Sequence, residues 1–235
     1  MYKITPKGEQ IRSMFGAIAP RYDFLNRLLS LGIDRQWRRV AVGLVRCSAR
    51  GRVLDVATGT GDLALAIAAC TPSEVRITGI DFCAEMVAIG KEKVAASSYR
   101  ERIQLAVAPC EEIPFPDGSF DSVTIAFGIR NVVDRPRGVA EMYRILKPGG
   151  NTVILEFSTP VFPLFKALYH WYFLKVLPAI GGIFSQKSAY QYLPDSVLEF
   201  PSREEFKGLM ARAGFRNTTH RDLTFGIATI YTGDK

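Results

Sequence analysis

The sequence predicts an α/β fold in which a mostly parallel β-sheet is covered by helices on both faces. Three observations support this prediction. Short apolar strands alternate with helices between residues 52 and 158, a pattern typical of parallel sheets. A strand, a glycine turn and a compact apolar helix follow one another at 52–70. Two strand-like runs near the end are separated by little more than Phe225 and Gly226, and so short a connection permits only antiparallel pairing.

The N-terminal part of the chain, residues 1–50, is expected to form a helical cap on a single domain that spans residues 1–235. The clearest helix lies around 35–45, where apolar residues recur at helical spacing opposite the arginines. The net charge is +7, and residues 21–52 contain eight arginines but only two acids, Asp23 and Asp34. Such a basic face can bind nucleic acid or anionic lipid, or it can be an ordinary solvated helix surface.

The central part, residues 51–158, is expected to form the core of the sheet. Apolar runs predict strands at 52–57, 75–81, 103–108, 120–128 and 151–158. Helices are expected between them at 63–70, at 84–97 and around Val139–Leu146.

The C-terminal part begins with an apolar insertion, residues 159–200. Residues 160–184 contain seven aromatic side chains, but lysines and prolines interrupt them. No uncharged run therefore approaches the ~20 residues that a membrane span needs. The segment is interpreted as core, as a lid over an apolar substrate or as a surface that dips into a membrane.

The final part, residues 201–235, is expected to form a helix and an antiparallel hairpin. Ser202 and Glu205 form a capping-box pattern at the start of the helix, and Gly214 is expected to end it. The hairpin brings the predicted sheet to seven strands. This arrangement favours the sheet of class I S-adenosylmethionine-dependent methyltransferases over an ordinary dinucleotide fold, by analogy of fold alone.

The four cysteines are widely spaced, without a C-x-x-C pair, and no secretory signal is recognised. This pattern predicts a reduced, cytoplasmic protein. Because neither of the two histidines lies close to a cysteine in sequence, no metal site is expected.

The stretch "DVATGTGD" (55–62) is the most informative motif. Gly59, Gly61 and Ala64, with Asp81 twenty residues beyond Gly61, fit the fingerprint of a dinucleotide site. Asp55 favours another interpretation, because its charge would repel phosphates but attract the ammonium or sulfonium of S-adenosylmethionine. The alternative is that Asp55 only caps a tight turn. Asp81 can accept hydrogen bonds from ribose hydroxyls and fits either cofactor.

Two further positions follow strands of the predicted sheet. Pro109 and Cys110 follow the third strand and are candidates to pack against an adenine edge, or to form a simple turn. Arg130 and Asn131 follow the fourth strand, where open parallel sheets bind ligands. An Arg-Asn pair can hold a developing oxyanion, although a structural salt bridge is an equal alternative for Arg130.

Two long stretches of the chain resemble the signatures of the ubiquinone/menaquinone biosynthesis C-methyltransferase family. "YDFLNRLLSLGIDRQW" (22–37) is similar to the N-terminal signature, and "RILKPGGNTVILEFS" (144–158) is similar to the second. Four positions depart from the usual residues: Leu25 stands for Met, Asp34 for His, Ile145 for Val and Ala57 for a glycine. Among the signature positions, only Asp34 changes the chemistry.

The resemblance implies transfer of a methyl group from S-adenosylmethionine to a ring carbon of a polyprenylated quinol. The substrate would be demethylmenaquinol or a ubiquinone precursor, with docking at the inner membrane face as a further expectation and no nucleic-acid partner. Arg130 and Asn131 are expected to stabilise the substrate oxyanion, and Tyr22 or a water to relay its proton. The expected cofactor contacts are Asp55, Thr58, Gly59, Thr60, Gly61, Asp81, Phe82, Met86, Pro109, Cys110 and Ala126.

Three rivals stay open at this point. A nicotinamide-dependent oxidoreductase would need room for a pyrophosphate beside Asp55. A non-enzymatic binder of RNA or membrane would use the arginine-rich N-terminal part. A nucleic-acid methyltransferase is the nearest enzymatic rival, but no N-P-P-Y-like tetrapeptide follows the fourth strand.

Overall fold

The computed structural model describes residues 5–160 and 187–235. Three helices come first: α1 (Pro6–Ile18), α2 (Tyr22–Leu29) and α3 (Asp34–Val42). Thr5 caps α1, because its hydroxyl accepts a hydrogen bond from the backbone N–H of Gly8. Trp37 and Ala41 of α3 pack into the apolar cluster beside the later strands. The predicted apolar segment at 160–184 lies almost entirely outside the described residues.

The central sheet contains seven strands in the order β3-β2-β1-β4-β5-β7-β6. All neighbours are parallel except β7, which is antiparallel to both β5 and β6. This confirms the predicted sheet and its C-terminal hairpin. The strands are β1 (Arg52–Val56), β2 (Arg76–Asp81), β3 (Ile103–Val107), β4 (Phe120–Ala126), β5 (Leu146–Phe157), β6 (Arg216–Leu223) and β7 (Ala228–Asp234).

Helices cover the sheet and complete its cores. They are α4 (Asp62–Cys70), α5 (Ala84–Ala95), α6 (Arg135–Ile145), α7 (Lys187–Leu198) and α8 (Arg203–Arg212). The predicted capping box of α8 is present, since Ser202 and Glu205 bond to each other's backbone. Gly214 follows α8 with a φ of +110°, as expected for the glycine that ends a helix. Division of the chain into cap, core, insertion and hairpin stays a prediction.

One strand boundary was predicted wrongly. β5 begins at Leu146 instead of 151, and Leu146 pairs with Phe120 before the register shifts. The extra residues form a bulge that contains Pro148, Gly149 and Gly150. Since proline and glycines usually mark turns, the sequence pattern concealed this early start of the strand.

The strand order identifies the edge of the sheet at which a ligand site is expected. From β1 the chain builds outward to β2 and β3 on one side and then to β4 and β5 on the other. Such a reversal of strand order opens a crevice at the carboxyl ends of the central strands. The glycine loop after β1 and the turn after β4 meet there, since a Cβ on Gly128 would lie 2.5 Å from the Cβ of Ala57.

Ala57 itself adopts a left-handed backbone conformation, with a φ of +49°. This conformation costs a non-glycine residue roughly 1–2 kcal/mol, although its methyl group packs against the core. We therefore expect Ala57→Gly to leave the free energy of unfolding unchanged or to raise it slightly.

The matched control is Ala88→Gly on the exposed surface in the interior of α5, which we expect to lower stability by about 1 kcal/mol. Urea unfolding of both variants tests the pair. Equal destabilisation by the two substitutions would contradict the strain at Ala57.

Candidate active site

Three neighbouring cavities meet at the carboxyl edge of the sheet, and Tyr22 and Phe127 line all three. The nucleoside-side cavity is lined by residues that include Gly59, Asp81, Phe82, Met86, Pro109, Cys110 and Asn131. The loop cavity is lined by residues that include Asp23, Arg38, Asp55, Thr58, Gly59, Thr60 and Asp62. The aromatic cavity is lined by residues that include Phe15, Trp37, Phe157, Arg130 and Tyr192. Ala126 separates the first two, since it lines both.

Asp55 lies at the end of β1 and is only 1% exposed. Its carboxylate accepts hydrogen bonds from the hydroxyls of Thr58 at 2.6 Å and Thr124 at 3.0 Å, and from the backbone N–H of Ala64 in α4. Burial outweighs these bonds and raises the pKa of Asp55 to about 7. Asp55 therefore braces the turn while its carboxylate still lines the loop cavity.

Asp81 ends β2 and holds the glycine loop from the other side. Its carboxylate accepts hydrogen bonds from the backbone N–H groups of Gly59 at 2.8 Å and Cys83 at 2.9 Å. Burial raises the pKa of Asp81 to about 6 despite these bonds. A carboxylate so placed, with unused lone pairs facing a cavity, can accept hydrogen bonds from a ribose diol.

The loop cavity is acidic. Asp23, Asp55 and Asp62 line it together with one cation, Arg38. Lys93 adds a second positive charge, since it pairs with both Asp23 and Asp62. Because the pKa of Asp55 is about 7, this residue is only partly ionised near neutral pH and the anionic groups exceed the cations slightly. The cavity therefore accepts an ammonium or sulfonium more easily than a pyrophosphate. This charge balance argues against the dinucleotide interpretation of the glycine motif.

The N-terminal helices close this part of the site. Asp23 of α2 accepts a hydrogen bond from the hydroxyl of Thr60 at 2.6 Å and one from Lys93 of α5 at 2.7 Å. Tyr22, the preceding residue, lies where the three cavities join. Asp23 was not among the expected site residues, although it lies inside the first signature stretch.

Gly61 is the one expected cofactor contact among the described residues that lines none of the three cavities. It precedes α4 with a φ of +83°, a conformation that suits glycine. A Cβ at this position would meet Leu105 at 3.5 Å, in the core. Gly61 therefore shapes the turn instead of touching a ligand.

Arg130 and Asn131 lie in a short 3₁₀ turn after β4, at Ile129–Asn131, and their side chains face different cavities. Arg130 lines the aromatic cavity, whereas Asn131 lines the nucleoside-side cavity. Asn131 accepts a hydrogen bond from the hydroxyl of Tyr192 at 3.0 Å. Tyr192 itself lines the aromatic cavity with Arg130, and the expectation that Arg130 and Asn131 act together on one oxyanion stays a prediction.

Arg130 is itself held in a buried ion pair. Its Nη1 donates to Glu156 at 2.8 Å and to the carbonyl of Phe127 at 2.5 Å, and its Nε donates to Ser196 at 3.3 Å. Glu156 is completely buried and also accepts the backbone N–H of Arg130. The structural salt bridge that the sequence left open as an alternative is therefore present.

The aromatic cavity has a volume of about 100 Å³ in this structure, which is below the range usual for pockets that enclose a whole drug-sized ligand. Phe127 and Phe157 pack with ring centroids 4.4 Å apart, and Trp37 lies 6.0–6.1 Å from both. Phe127 has a φ of +58°, and such backbone strain often accompanies functional sites. These aromatic residues were not among the expected site residues, since strand-end phenylalanines resemble ordinary core.

The residues present fit S-adenosylmethionine. A ligand with positive charge and a ribose diol would compensate the burial of Asp55 and Asp81, whose raised pKa values express that cost. Met86, Pro109 and Cys110 offer an apolar wall for the adenine. Burial raises the pKa of the Cys110 thiol, which makes it an apolar contact and not a nucleophile.

The chain was compared with known families and proteins. The model of the ubiE/COQ5 methyltransferase family matches residues 3–235. The ubiquinone/menaquinone biosynthesis C-methyltransferase UbiE of Geotalea daltonii is 70% identical over 235 residues, which is 100% of both chains. The demethylmenaquinone methyltransferase of Deinococcus radiodurans is 48% identical over 230 residues, 97% of this chain and 94% of that protein.

Among solved structures, a SAM-dependent methyltransferase of Thermotoga maritima superposes with a TM-score of 0.66 at 20% identity. The match covers 96% of this chain and 99% of that one. At this identity the likeness concerns the fold, and it agrees with the class I methyltransferase sheet predicted from the sequence.

The buried carboxylate of Asp55 predicts a characteristic pH dependence of stability. Its pKa is about 7 in the folded chain and near ~4 in an unfolded chain. Because the folded state holds this proton more tightly, the chain loses stability as pH rises between these two values. We expect Asp55→Asn to raise the free energy of unfolding at pH 8 by roughly 1–3 kcal/mol, to have little effect near pH 4, and to weaken binding of S-adenosylmethionine.

Asp121→Asn is the matched control. Burial opposes ionisation of Asp121, but hydrogen bonds from Lys147 and from the backbone N–H of Arg52 leave its pKa below the ordinary value. This control should lose stability at pH 8 and recover at low pH. Urea unfolding at the two pH values measures both effects, and destabilisation of Asp55→Asn at pH 8 would contradict the assignment.

Proposed function

Because this chain belongs to the ubiE/COQ5 methyltransferase family, we propose that it methylates a ring carbon of a polyprenylated quinol. It is an S-adenosylmethionine-dependent C-methyltransferase. Demethylmenaquinol is the first proposed substrate, and the ubiquinone precursor 2-polyprenyl-6-methoxy-1,4-benzoquinol is the second. Relatives carry names for both pathways, since one set is called ubiquinone/menaquinone C-methyltransferase and another demethylmenaquinone methyltransferase.

The observation that carries the proposal is the junction of an acidic cavity with an aromatic one. Tyr22 and Phe127 line both, so a charged ligand on one side and a ring on the other would meet there. Bound S-adenosylmethionine supplies an electrophilic methyl group on a positively charged sulfur. The chain must supply a dry position for a ring and a means of favouring its ionised form.

Ionisation of the quinol is the step that the aromatic cavity must assist. A ring carbon becomes strongly nucleophilic when the neighbouring hydroxyl loses its proton, and a phenol has a pKa near ~10. Arg130 lines the cavity with its guanidinium fixed by Glu156 and Phe127. We assign to Arg130 the electrostatic stabilisation of the phenolate, with Glu156 as the residue that positions it.

Tyr22 takes a different role from the proton relay first expected. Burial raises the pKa of the Tyr22 hydroxyl, although a hydrogen bond with Asn26 and the charge of Arg130 oppose this. The hydroxyl therefore stays protonated near neutral pH. A protonated hydroxyl suits a hydrogen-bond donor to the phenolate oxygen better than a general base.

The aromatic wall serves the same step by excluding water. In the proposed reaction a positive and a negative charge combine into neutral products, so a medium of low polarity favours the transition state. Trp37, Phe127 and Phe157 supply that medium. The proposed lid at 160–184 lies outside the described residues and is not needed for this argument.

We extend the proposal to docking at a membrane surface, where polyprenylated substrates are dissolved. Leu31 is 79% exposed and Phe225 is 55% exposed. Ser30, which precedes Leu31, and Ile227, two residues after Phe225, both line the aromatic cavity. Arg27 and Arg35 are exposed beside Leu31 in sequence and match anionic lipid. No helix of the described residues is long and apolar enough to cross a bilayer.

Transfer of labelled methyl groups tests the proposed function. Purified protein is incubated anaerobically with labelled S-adenosylmethionine and with either reduced demethylmenaquinone or the reduced ubiquinone precursor. We expect a labelled product from the naphthoquinol, from the benzoquinol or from both. Absence of product from both quinols would refute the proposal.

Arg130→Lys tests the site within the same assay. Lysine keeps the charge but loses the forked hydrogen bonds, so we expect turnover to fall at least tenfold while S-adenosylhomocysteine affinity stays within about twofold. Equal losses in both quantities would remove Arg130 from its assigned role.

Leu31→Glu tests docking at a membrane surface. The substitution should weaken binding to vesicles of phosphatidylglycerol and phosphatidylcholine several-fold, because it places a charge where apolar insertion is proposed. Val107→Glu is the matched control, since Val107 is 55% exposed at the end of β3. Co-sedimentation measures both, and equal loss in both variants would contradict the proposed surface.

A further inference from the structure

The aromatic cavity contains a second group of polar side chains besides Tyr22 and Arg130. Ser30, Asp34 and Arg38 all line it. Ser30 follows α2, while Asp34 and Arg38 lie in α3, so the three residues succeed one another at intervals of four. Asp34 is 2% exposed and Arg38 is 8% exposed. Charged groups are almost never fully buried unless they are paired, and Asp34 and Arg38 pair with each other.

Asp34 is the one carboxylate among the described residues that line this cavity. Its Oδ1 accepts a hydrogen bond from the hydroxyl of Ser30 at 2.8 Å, and its Oδ2 pairs with Nη2 of Arg38. A carboxylate can accept about four hydrogen bonds. These two contacts therefore leave Asp34 able to accept another from a ligand in the cavity.

Arg38 fixes the direction in which Asp34 is held. Its Nη2 also contacts Asp62 at 3.2 Å, and Asp62 faces the loop cavity instead of the aromatic one. The guanidinium thus spans the two cavities and is balanced by a carboxylate on each side. In this arrangement both carboxylate oxygens of Asp34 accept hydrogen bonds.

We propose that Asp34 accepts a hydrogen bond from a hydroxyl of the aromatic substrate and thereby selects the reduced quinol over the oxidised quinone. This inference rests on the proposed function, which places a quinol in the aromatic cavity. A quinol hydroxyl donates to the carboxylate. A quinone carbonyl cannot donate, and its oxygen would face the lone pairs of Asp34.

Such discrimination has chemical value for the proposed reaction. Only the reduced ring has a hydroxyl whose ionisation makes a ring carbon nucleophilic, so a bound quinone would block the site without reacting. A site built to bond a substrate hydroxyl rejects an analogue that lacks it, because the buried polar group of the protein is then left unpaired. Tyr22 and Arg130 cannot supply this selection, since a hydroxyl or guanidinium donor bonds a quinone carbonyl readily.

The test compares the KM of a short-chain reduced demethylmenaquinone with the inhibition constant of its oxidised form under anaerobic conditions. In wild type we expect the quinone to bind at least tenfold more weakly than the quinol. Asp34→Asn introduces an amide that can donate to a carbonyl. We expect it to lower the ratio of quinone inhibition constant to quinol KM by about 10–100-fold, with S-adenosylhomocysteine affinity retained.

Asp62→Asn is the matched control, because it removes a carboxylate from the same Arg38 but on the side of the loop cavity. The ratio should stay within about twofold of wild type in this control. Asp34→Glu keeps a carboxylate and should keep the preference for quinol. Asp34→His carries the side chain usual at this place in the resembling family, and it provides a variant compatible with the fold should Asp34→Asn not fold.

An unchanged ratio in Asp34→Asn or Asp34→His, with cofactor affinity intact, would overturn the inference, and so would an equal shift in Asp62→Asn. Failure of the proposed function has a different signature. In that case the wild-type protein itself methylates neither quinol.

Discussion

The buried carboxylate of Asp55 is the constraint on which the site depends. It accepts hydrogen bonds from the glycine loop through Thr58, from β4 through Thr124 and from the first turn of α4 through Ala64. It stands at the end of β1, where the strand order reverses and a crevice must open. Burying a charge there lowers stability, as the raised pKa of Asp55 expresses. A positively charged ligand beside it would recover that loss, so the residue that organises the turn is also the one proposed to favour the cofactor.

The sheet supplies only part of the site, and the N-terminal helices complete it. Asp23 of α2 ties Thr60 of the loop to Lys93 of α5, which brings Tyr22 to the junction of the three cavities. α3 adds Trp37 to the aromatic wall and Arg38 to the boundary between the acidic and aromatic sides. In the proposed function, the sheet would hold the cofactor, whereas the residues around the proposed acceptor come largely from the N-terminal helices.

The sequence predicted the strands well, because apolar periodicity and glycine turns are local signals. It could not predict which way adjacent side chains point. Arg130 and Asn131 are neighbours, yet one 3₁₀ turn directs them into different cavities. Glu156 was also not predicted to be the partner of Arg130. A charged residue at the end of an apolar run was nevertheless a usable signal for a buried ion pair. Contacts between distant segments, such as Asp23 with Lys93, leave no trace in local periodicity.

The ion pair of Arg130 with Glu156 affects how strongly Arg130 would stabilise a phenolate in the proposed reaction. An uncompensated guanidinium beside a phenolate would stabilise the anion strongly, but stabilising the ground state as much as the transition state does not accelerate the reaction. Glu156 offsets much of the charge of Arg130 at a distance of 2.8 Å, and Asp34 and Asp62 do the same for Arg38. In the proposed reaction, the aromatic cavity would therefore assist ionisation of a hydroxyl without holding the resulting anion too firmly. The ring carbon would then stay nucleophilic. It would be attracted to the positively charged sulfur of S-adenosylmethionine, on the other side of the junction lined by Tyr22 and Phe127.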